Sequence, residues 1–302
     1  MHPSASQPET SIEWVTPIGQ GTSGGTYRFA LCPDDAAIVF AGPSRLYRIA
    51  PTGDIVATSA ETGVNDARSL DCADRVRLLS VSPDRVMHVV ELDPHTLTEL
   101  RRVRLDTANG EVAHGVRVLG GIPHLLRAAV TGPVLAPIDG DTVGGAFGMR
   151  LERPGRRSTV VPSFMPVFFR EATQRFVLLE TDGYSTVEFD AAGRLHGTWY
   201  RDDPDFARVN AALVPNPYQS EEFVSGAAMA PDGRLAVQVV KRGRDSYVTY
   251  IEVLSPTYEV VATWVPPRKG TLFGWDGHGR LYFGYANVSS GSNIWAARLP
   301  VP

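Results

Sequence analysis

The 302-residue chain has only two cysteines, Cys32 and Cys72. Two cysteines cannot form the disulfide framework that holds small extracellular scaffolds together. Both are read as reduced residues that pack as small hydrophobes. No segment approaches the roughly 20 apolar residues needed to cross a bilayer. Residues Met1–Thr10 are polar, carry Pro3 and Pro8, and lack the basic-then-apolar order of a secretion signal. They are expected to be a flexible N-terminal segment. The chain is expected in the cytoplasm, with export after removal of a leader as the alternative. Basic excess is missing too: 29 Lys and Arg stand against 33 Asp and Glu, a net charge of −4. That disfavours a polyanion-binding surface, so neither nucleic acid nor membrane is expected as a partner. The seven histidines show no i, i+2 or i, i+4 pair, so no metal and no cofactor are expected.

Helical periodicity is also scarce. The best helical candidate is the short stretch Asp205–Leu213. What the chain has instead is turn chemistry, with 29 Gly and 23 Pro. A unit of strand, polar turn and strand recurs throughout. Its clearest copies are Gly226–Ala230, Pro231-Asp232-Gly233 and Leu235–Val240, then Leu272–Trp275, Asp276–Gly279 and Leu281–Tyr285. A second hairpin follows each: Leu46–Ala50 with Ile55–Ser59, Met87–Leu92 with Leu97–Leu105, Ser185–Phe189 with Leu195–Tyr200, and Tyr247–Leu254 with Tyr258–Val265. Asp-Gly between alternating apolar runs favours a hairpin, because Gly accepts positive φ at no steric cost.

Two hairpins make a four-stranded antiparallel sheet, and sheets recurring every ~40–50 residues are propeller blades. The fold class expected is all-β: a six-bladed propeller occupying residues 1–302 as one domain. The blades fall at about Thr26–Ala60, Asp66–Leu105, Ala113–Val160, Pro162–Tyr200, Ser225–Val265 and Gly270–Leu299. The third is the least regular. The sixth is one strand short, and an unassigned strand, Ser11–Ile18, precedes the first. Pairing that N-terminal strand with the last blade would close the ring and remove two exposed edges.

The chain resembles the six-bladed β-propeller superfamily that includes TolB-like and NHL-like propellers. The resemblance rests on blade count and on Pro231-Asp232-Gly233-Arg234-Leu235, Asp276-Gly277-His278-Gly279-Arg280-Leu281 and Phe189-Asp190-Ala191-Ala192-Gly193-Arg194-Leu195. It implies fold and says little of activity. The YWTD tetrapeptide is absent, Trp275-Asp276 opens an inner turn unlike its place in WD40 repeats, and no calcium-lactonase set of Glu, Asn and Asp aligns.

Several motifs have a plain reading beside a chemical one. Gly19–Gly24 fits GxGxxG, and Ser23 sits in a GxSxG pattern, but a strand follows where both motifs need a helix. Asp139-Gly140-Asp141 and Asp202-Asp203-Pro204-Asp205 read as solvated turns before calcium sites. Arg101-Arg102-Val103-Arg104 falls on an outer strand, where charge blocks strand addition. The loop Arg201–Val224 is long enough to serve as a lid and holds Tyr218, Glu221 and Glu222.

Inner-strand starts face the central channel. The expected function is therefore ligand or protein binding in that funnel, by Tyr27, Asp66, Arg68, Arg117 and Phe164, with Tyr218, Glu221 and Glu222 from the lid. A small molecule or peptide would be the partner. The alternative is a metal-independent hydrolase, lyase or cyclase in which His114 moves protons and Arg68 or Arg117 holds an anionic group. His114 also has a plain reading, as a structural histidine satisfied within the fold.

Overall fold

A computed structural model describes residues 12–18, 27–41, 44–64, 67–82, 86–105, 113–127, 133–149, 166–180, 184–201, 222–242, 247–286 and 292–299, with backbone alone at 222, 223 and 242. The described residues form strands joined by turns. Strand β1 (Ile12–Pro17) precedes blade 1, which is β2 (Arg28–Leu31), β3 (Ala37–Ala41), β4 (Arg45–Ile49) and β5 (Ile55–Thr58). Blade 2 is β6 (Ala67–Cys72), β7 (Val76–Val81), β8 (Met87–Leu92) and β9 (Glu99–Leu105). Blade 3 is β10 (Ala113–Leu119), β11 (Ile122–Arg127), β12 (Leu135–Asp139) and β13 (Thr142–Val143). Blade 4 is β14 (Val167–Arg170), β15 (Arg175–Glu180), β16 (Ser185–Phe189) and β17 (Leu195–Tyr200). Blade 5 is β18 (Glu222–Met229), β19 (Leu235–Arg242), β20 (Tyr247–Leu254) and β21 (Val260–Trp264). Blade 6 is β22 (Thr271–Trp275), β23 (Arg280–Tyr285) and β24 (Asn293–Arg298), completed on its outside by β1.

The molecule is a six-bladed propeller of four-stranded antiparallel sheets, as the repeat pattern predicts. Its apolar residues gather in six clusters, each spanning two neighbouring blades. Middle strands are therefore covered on both faces: every residue of β3 and of β16 is buried. Outer strands keep one or both faces wet. In β9 the residues Glu99–Arg102 and Arg104 are exposed while Val103 and Leu105 turn inward, which bears out the outer position of the arginine run.

The Asp-x-x-Gly-Arg turns show why these residues recur. Asp276 Oδ1 accepts the backbone N–H of His278 at 2.9 Å and of Arg280 at 2.8 Å, and Gly279 supplies φ +81. Asp190 repeats this with Ala192 at 2.9 Å and Arg194 at 3.0 Å. The aspartate satisfies amides that a tight turn would otherwise leave without partners.

β1 runs antiparallel to β24, from Ile12 opposite Ala297 to Pro17 opposite Asn293. The closing strand also reaches the turn of blade 1: Trp14 Nε1 donates to the Pro51 carbonyl at 2.8 Å, and Thr16 Oγ1 donates to the Gly53 carbonyl. Glu13 pairs with Arg298 at 3.0 Å. Blade 3 is irregular as expected. Pro137 lies in β12, and β13 has two residues before Gly144 N donates back to the Pro137 carbonyl at 2.8 Å.

One expectation is corrected. Cys32 and Cys72 are not separate reduced thiols but a disulfide, with Cα atoms 4.8 Å apart. Their equivalent places in neighbouring blades are the reason. β2 and β6 run side by side toward the axis, so equivalent positions converge, and both sulfurs are buried in the core shared by blades 1 and 2. The helical candidate Asp205–Leu213, the Gly19–Gly24 motif with Ser23, and most of the Arg201–Val224 loop lie outside the described residues.

Candidate functional site

The inner strands β2, β6, β10, β14, β18 and β22 enclose a central channel with a volume of about 2080 Å³. They run parallel to one another, so their starts share one mouth. The Arg28 guanidinium reaches the Arg68 carbonyl at 2.7 Å near the strand starts, and Cys32 meets Cys72 at the strand ends.

Plain alternation does not set which side chains enter the channel. Across β6 and β7, Ala67 opposes Ser80 and Ser69 opposes Leu79, which leaves Arg68 outside the ladder. In β10 the displaced residue is His114, in β18 Ser225 and in β22 Phe273. These are β-bulges, which set two residues against one and re-aim the extra side chain. All four bulged residues line the channel. The inner strands of blades 1 and 4 keep regular register.

The residue after each bulge is small, and the atoms packed beside it explain why. A Cβ on Gly226 would stand 2.6 Å from the Leu272 carbonyl oxygen, and one on Gly115 would stand 3.2 Å from Ser69 Cβ. Ser69 Oγ accepts the Val116 N–H at 2.8 Å, and Gln238 accepts the Leu272 N–H at 2.9 Å while donating to the Gly270 carbonyl at 2.6 Å.

Of the residues expected at the site, Tyr27, Arg68, His114 and Arg117 line the channel. Arg117 is engaged between blades: it pairs with Asp71 Oδ1 at 3.0 Å, whose Oδ2 accepts the Val118 N–H at 2.8 Å. Glu222 opens β18. Asp66, Phe164, Tyr218 and Glu221 lie outside the described residues. The channel also receives residues the sequence reading did not select, chiefly Ser225, Arg268, Lys269 and Phe273. For the bulged ones a signal existed, because a small residue inside a strand marks a bulge or a close backbone approach.

The channel has a charge direction. Among the described lining residues Arg28, Arg68, Arg268 and Lys269 lie toward the strand-start mouth, whereas Asp71, Glu171 and Asp232 lie toward the strand ends together with Arg117 and Arg170. Near that second mouth Arg170 is buried against Glu188, which also accepts the Tyr258 hydroxyl. Burial and the Glu188 carboxylate push the Tyr258 phenol well above its ordinary range, so it stays a donor. Aromatic side chains form part of the wall, with Phe29 stacked on Phe273 at 5.3 Å. Two channel-lining residues carry buried hydroxyls, Tyr27 Oη and Ser225 Oγ, with no hydrogen-bond partner among the described residues. Among those residues no group of three or more His, Cys, Asp or Glu side chains is placed to hold a metal ion.

No protein-family model and no curated protein matches the chain. Solved structures do match. A member of the DUF4221 family from Bacteroides vulgatus superposes with a TM-score of 0.59 at 9% identity, covering 96% of this chain and 98% of that one. An oxidoreductase from Thermus thermophilus, described as a glucose dehydrogenase, gives 0.52 at 15% identity over 94% and 99%. The WD40 β-propeller domain of Doa1 gives 0.50 at 14% identity over 90% and 78%. At such identities the likeness is one of fold alone.

Proposed function

We propose that this propeller is a binding module whose ligand, a small molecule or a peptide segment, enters the central channel from the mouth built by the inner-strand starts. One observation carries the reading: four inner strands break their ladders, and each time the released side chain lines the channel. A bulge gives up ladder hydrogen bonds, and bulges concentrate where a side chain must be re-aimed. The test is recovery of tight binders from a metabolite extract by mass spectrometry, with Thr271→Trp beside the parent. Thr271 is an exposed channel-lining residue at the start of β22, so the substitution narrows the mouth without filling the core. Binders held by the parent and lost by the variant support the reading. Binders retained equally by both refute it.

A second reading has its own support. Arg68 and His114 stand on adjacent strands in one channel, an arrangement suited to a metal-independent hydrolase, lyase or cyclase with Arg68 holding an anionic group. Arg117 is less suited to that task, being occupied by Asp71. Chemical turnover of a recovered binder, lost in His114→Gln, would favour this second reading. The Cys32–Cys72 bridge supports an exported location over a cytoplasmic one, because disulfides persist in oxidising compartments.

A further inference from the structure

Blade 5 is built differently from the rest. Its strands β18, β19 and β20 have eight residues each, and no other described strand exceeds seven. β19 pairs with β20 along the whole length, from Leu235 opposite Leu254 to Arg242 opposite Tyr247, whereas the described pairing of β21 reaches only Trp264 opposite Ile251. The first residues of β20, Tyr247–Tyr250, therefore rise past β21 at the strand-start mouth. A strand climbs about 3.3 Å per residue, so this part of β20 makes a step of roughly 13 Å.

The side chains on the step are apolar and wet. Tyr247 is 55% exposed, Val248 50% and Val265 41%, and Pro267 is exposed beside them. All line the mouth. Val265 follows Trp264, so it stands near the level of Tyr250, about 7 Å along the strand from Val248. A lone exposed apolar residue needs no explanation, but several together mark a contact site. Next in the chain come Arg268 and Lys269, both exposed, and neither side chain is ion-paired among the described residues. The main chain that carries them is fixed: the Lys269 carbonyl accepts Trp295 Nε1 at 3.1 Å, and the Gly270 carbonyl accepts Gln238 Nε2 at 2.6 Å. Pro266 and Pro267 lock φ in the same connector. Such a surface loses little conformational freedom when it takes up a partner.

We infer that this step is a docking surface for an extended segment of a partner protein in which aliphatic or aromatic residues stand beside Asp or Glu. The apolar residues of the segment cover Tyr247, Val248, Val265 and Pro267, and its carboxylates meet Arg268 and Lys269, a charge match that fixes its direction. A raised wall beside an opening makes a corner that admits a narrow chain, whereas a flat membrane or a second propeller would meet only the tip of the hairpin. The surface lies on the rim, so it goes beyond the channel-binding reading and does not depend on it.

Panning a phage-displayed random-peptide library on the full chain, followed by fluorescence anisotropy with the best synthetic peptide, tests the docking surface. The expected peptides carry Asp or Glu next to aliphatic or aromatic residues. Val248→Asp should weaken the best one about ten-fold, as should the double change Arg268→Glu with Lys269→Glu. A peptide whose acidic residues are replaced by lysine should bind that reversed chain more tightly than the parent, a rescue that a misfolded variant would not give. Enrichment of basic or purely apolar peptides, or equal binding by the parent and both variants, overturns the inference. Self-association of the parent that Val248→Asp abolishes would give the surface to a second copy, and binding to phosphatidylserine vesicles that the double variant loses would give it to a membrane; either overturns it too. Absence of any enriched peptide also overturns it, and leaves the channel reading to its own test with Thr271→Trp.

Discussion

Blades 2 and 3 meet through two bulged strands, as do blades 5 and 6. In both places a glycine lets the neighbouring strand close in, the Ser69 side chain on Gly115 and the Leu272 backbone on Gly226, with Ser69 or Gln238 bridging to a backbone amide. Interfaces that involve a regular inner strand are held by other means. Blades 1 and 2 share the Cys32–Cys72 disulfide and the Arg48 guanidinium, which donates to the Pro94 carbonyl at 2.6 Å. Blades 4 and 5 share a buried group in which Glu252 takes the Tyr184 hydroxyl at 2.8 Å and Arg201 at 2.7 Å. Blades 3 and 4 interlock rings: His124, Phe147, Phe176 and Phe189 meet at centroid distances of 5.2–6.1 Å. The difference teaches that one repeat can be joined in two ways. Where a bulge removes a residue from the ladder and a glycine follows, the glycine is tightly packed by its neighbours: the Leu272 main chain at Gly226, side chains at Gly115 and Gly274. Where the strand stays regular, side chains or a covalent bond supply the adhesion.

The covalent tie gives the largest expected effect. Replacing both cysteines by serine frees a loop with a sequence separation of 40 and should cost about 4 kcal/mol in equilibrium urea unfolding. A loss under about 1 kcal/mol would mean that apolar packing alone holds blades 1 and 2. The docked pair comes next. Gly226→Val places carbon against the Leu272 carbonyl and should cost about 2 kcal/mol. Gly277→Val, where an added Cβ meets nothing within 4 Å, should stay within about 0.5 kcal/mol of the parent. Equal costs at the two sites would show that the close approach at Gly226 carries no penalty of its own.

The smallest effect is a pH dependence at the ring-filled interface. Burial holds the His124 imidazole below its ordinary value of 6.5, so the unfolded chain takes up that proton first. Stability from this group is complete above about pH 6.5 and falls as pH drops below it. His124→Phe should flatten the decline between pH 7 and 5 in thermal melts. An unchanged slope would show that His124 is protonated in place without cost.

Much of the architecture was legible. Alternation and Asp-Gly turns marked nearly every strand, because those signals are local and recur with each hairpin. Ring closure was legible from a missing fourth strand in the last blade and a spare one before the first. The disulfide was not read, although Cys32 and Cys72 stand at equivalent ends of two inner strands. Their meeting depends on how closely inner strands converge at the axis, a tertiary distance. The bulges had a sequence trace in His114-Gly115, Ser225-Gly226, Phe273-Gly274 and Arg68-Ser69, each between aliphatic or aromatic neighbours. A glycine inside a strand has several causes, and only the broken register of β6, β10, β18 and β22 distinguishes them. Arg68 and His114 were chosen as inner-strand starts. Ser225 and Phe273 occupy the same structural niche and were not selected.

The clasp between β1 and β24 carries a cost in time. The ribosome makes β1 before blade 1 and its partner β24 only after five blades, with Ile12 opposite Ala297. Blades that close on themselves can form while the polypeptide emerges, but the sixth must wait for β24. Until then β23 has no outer neighbour and β1 has no partner, a vulnerable interval in which a stray strand from another nascent molecule could take either place.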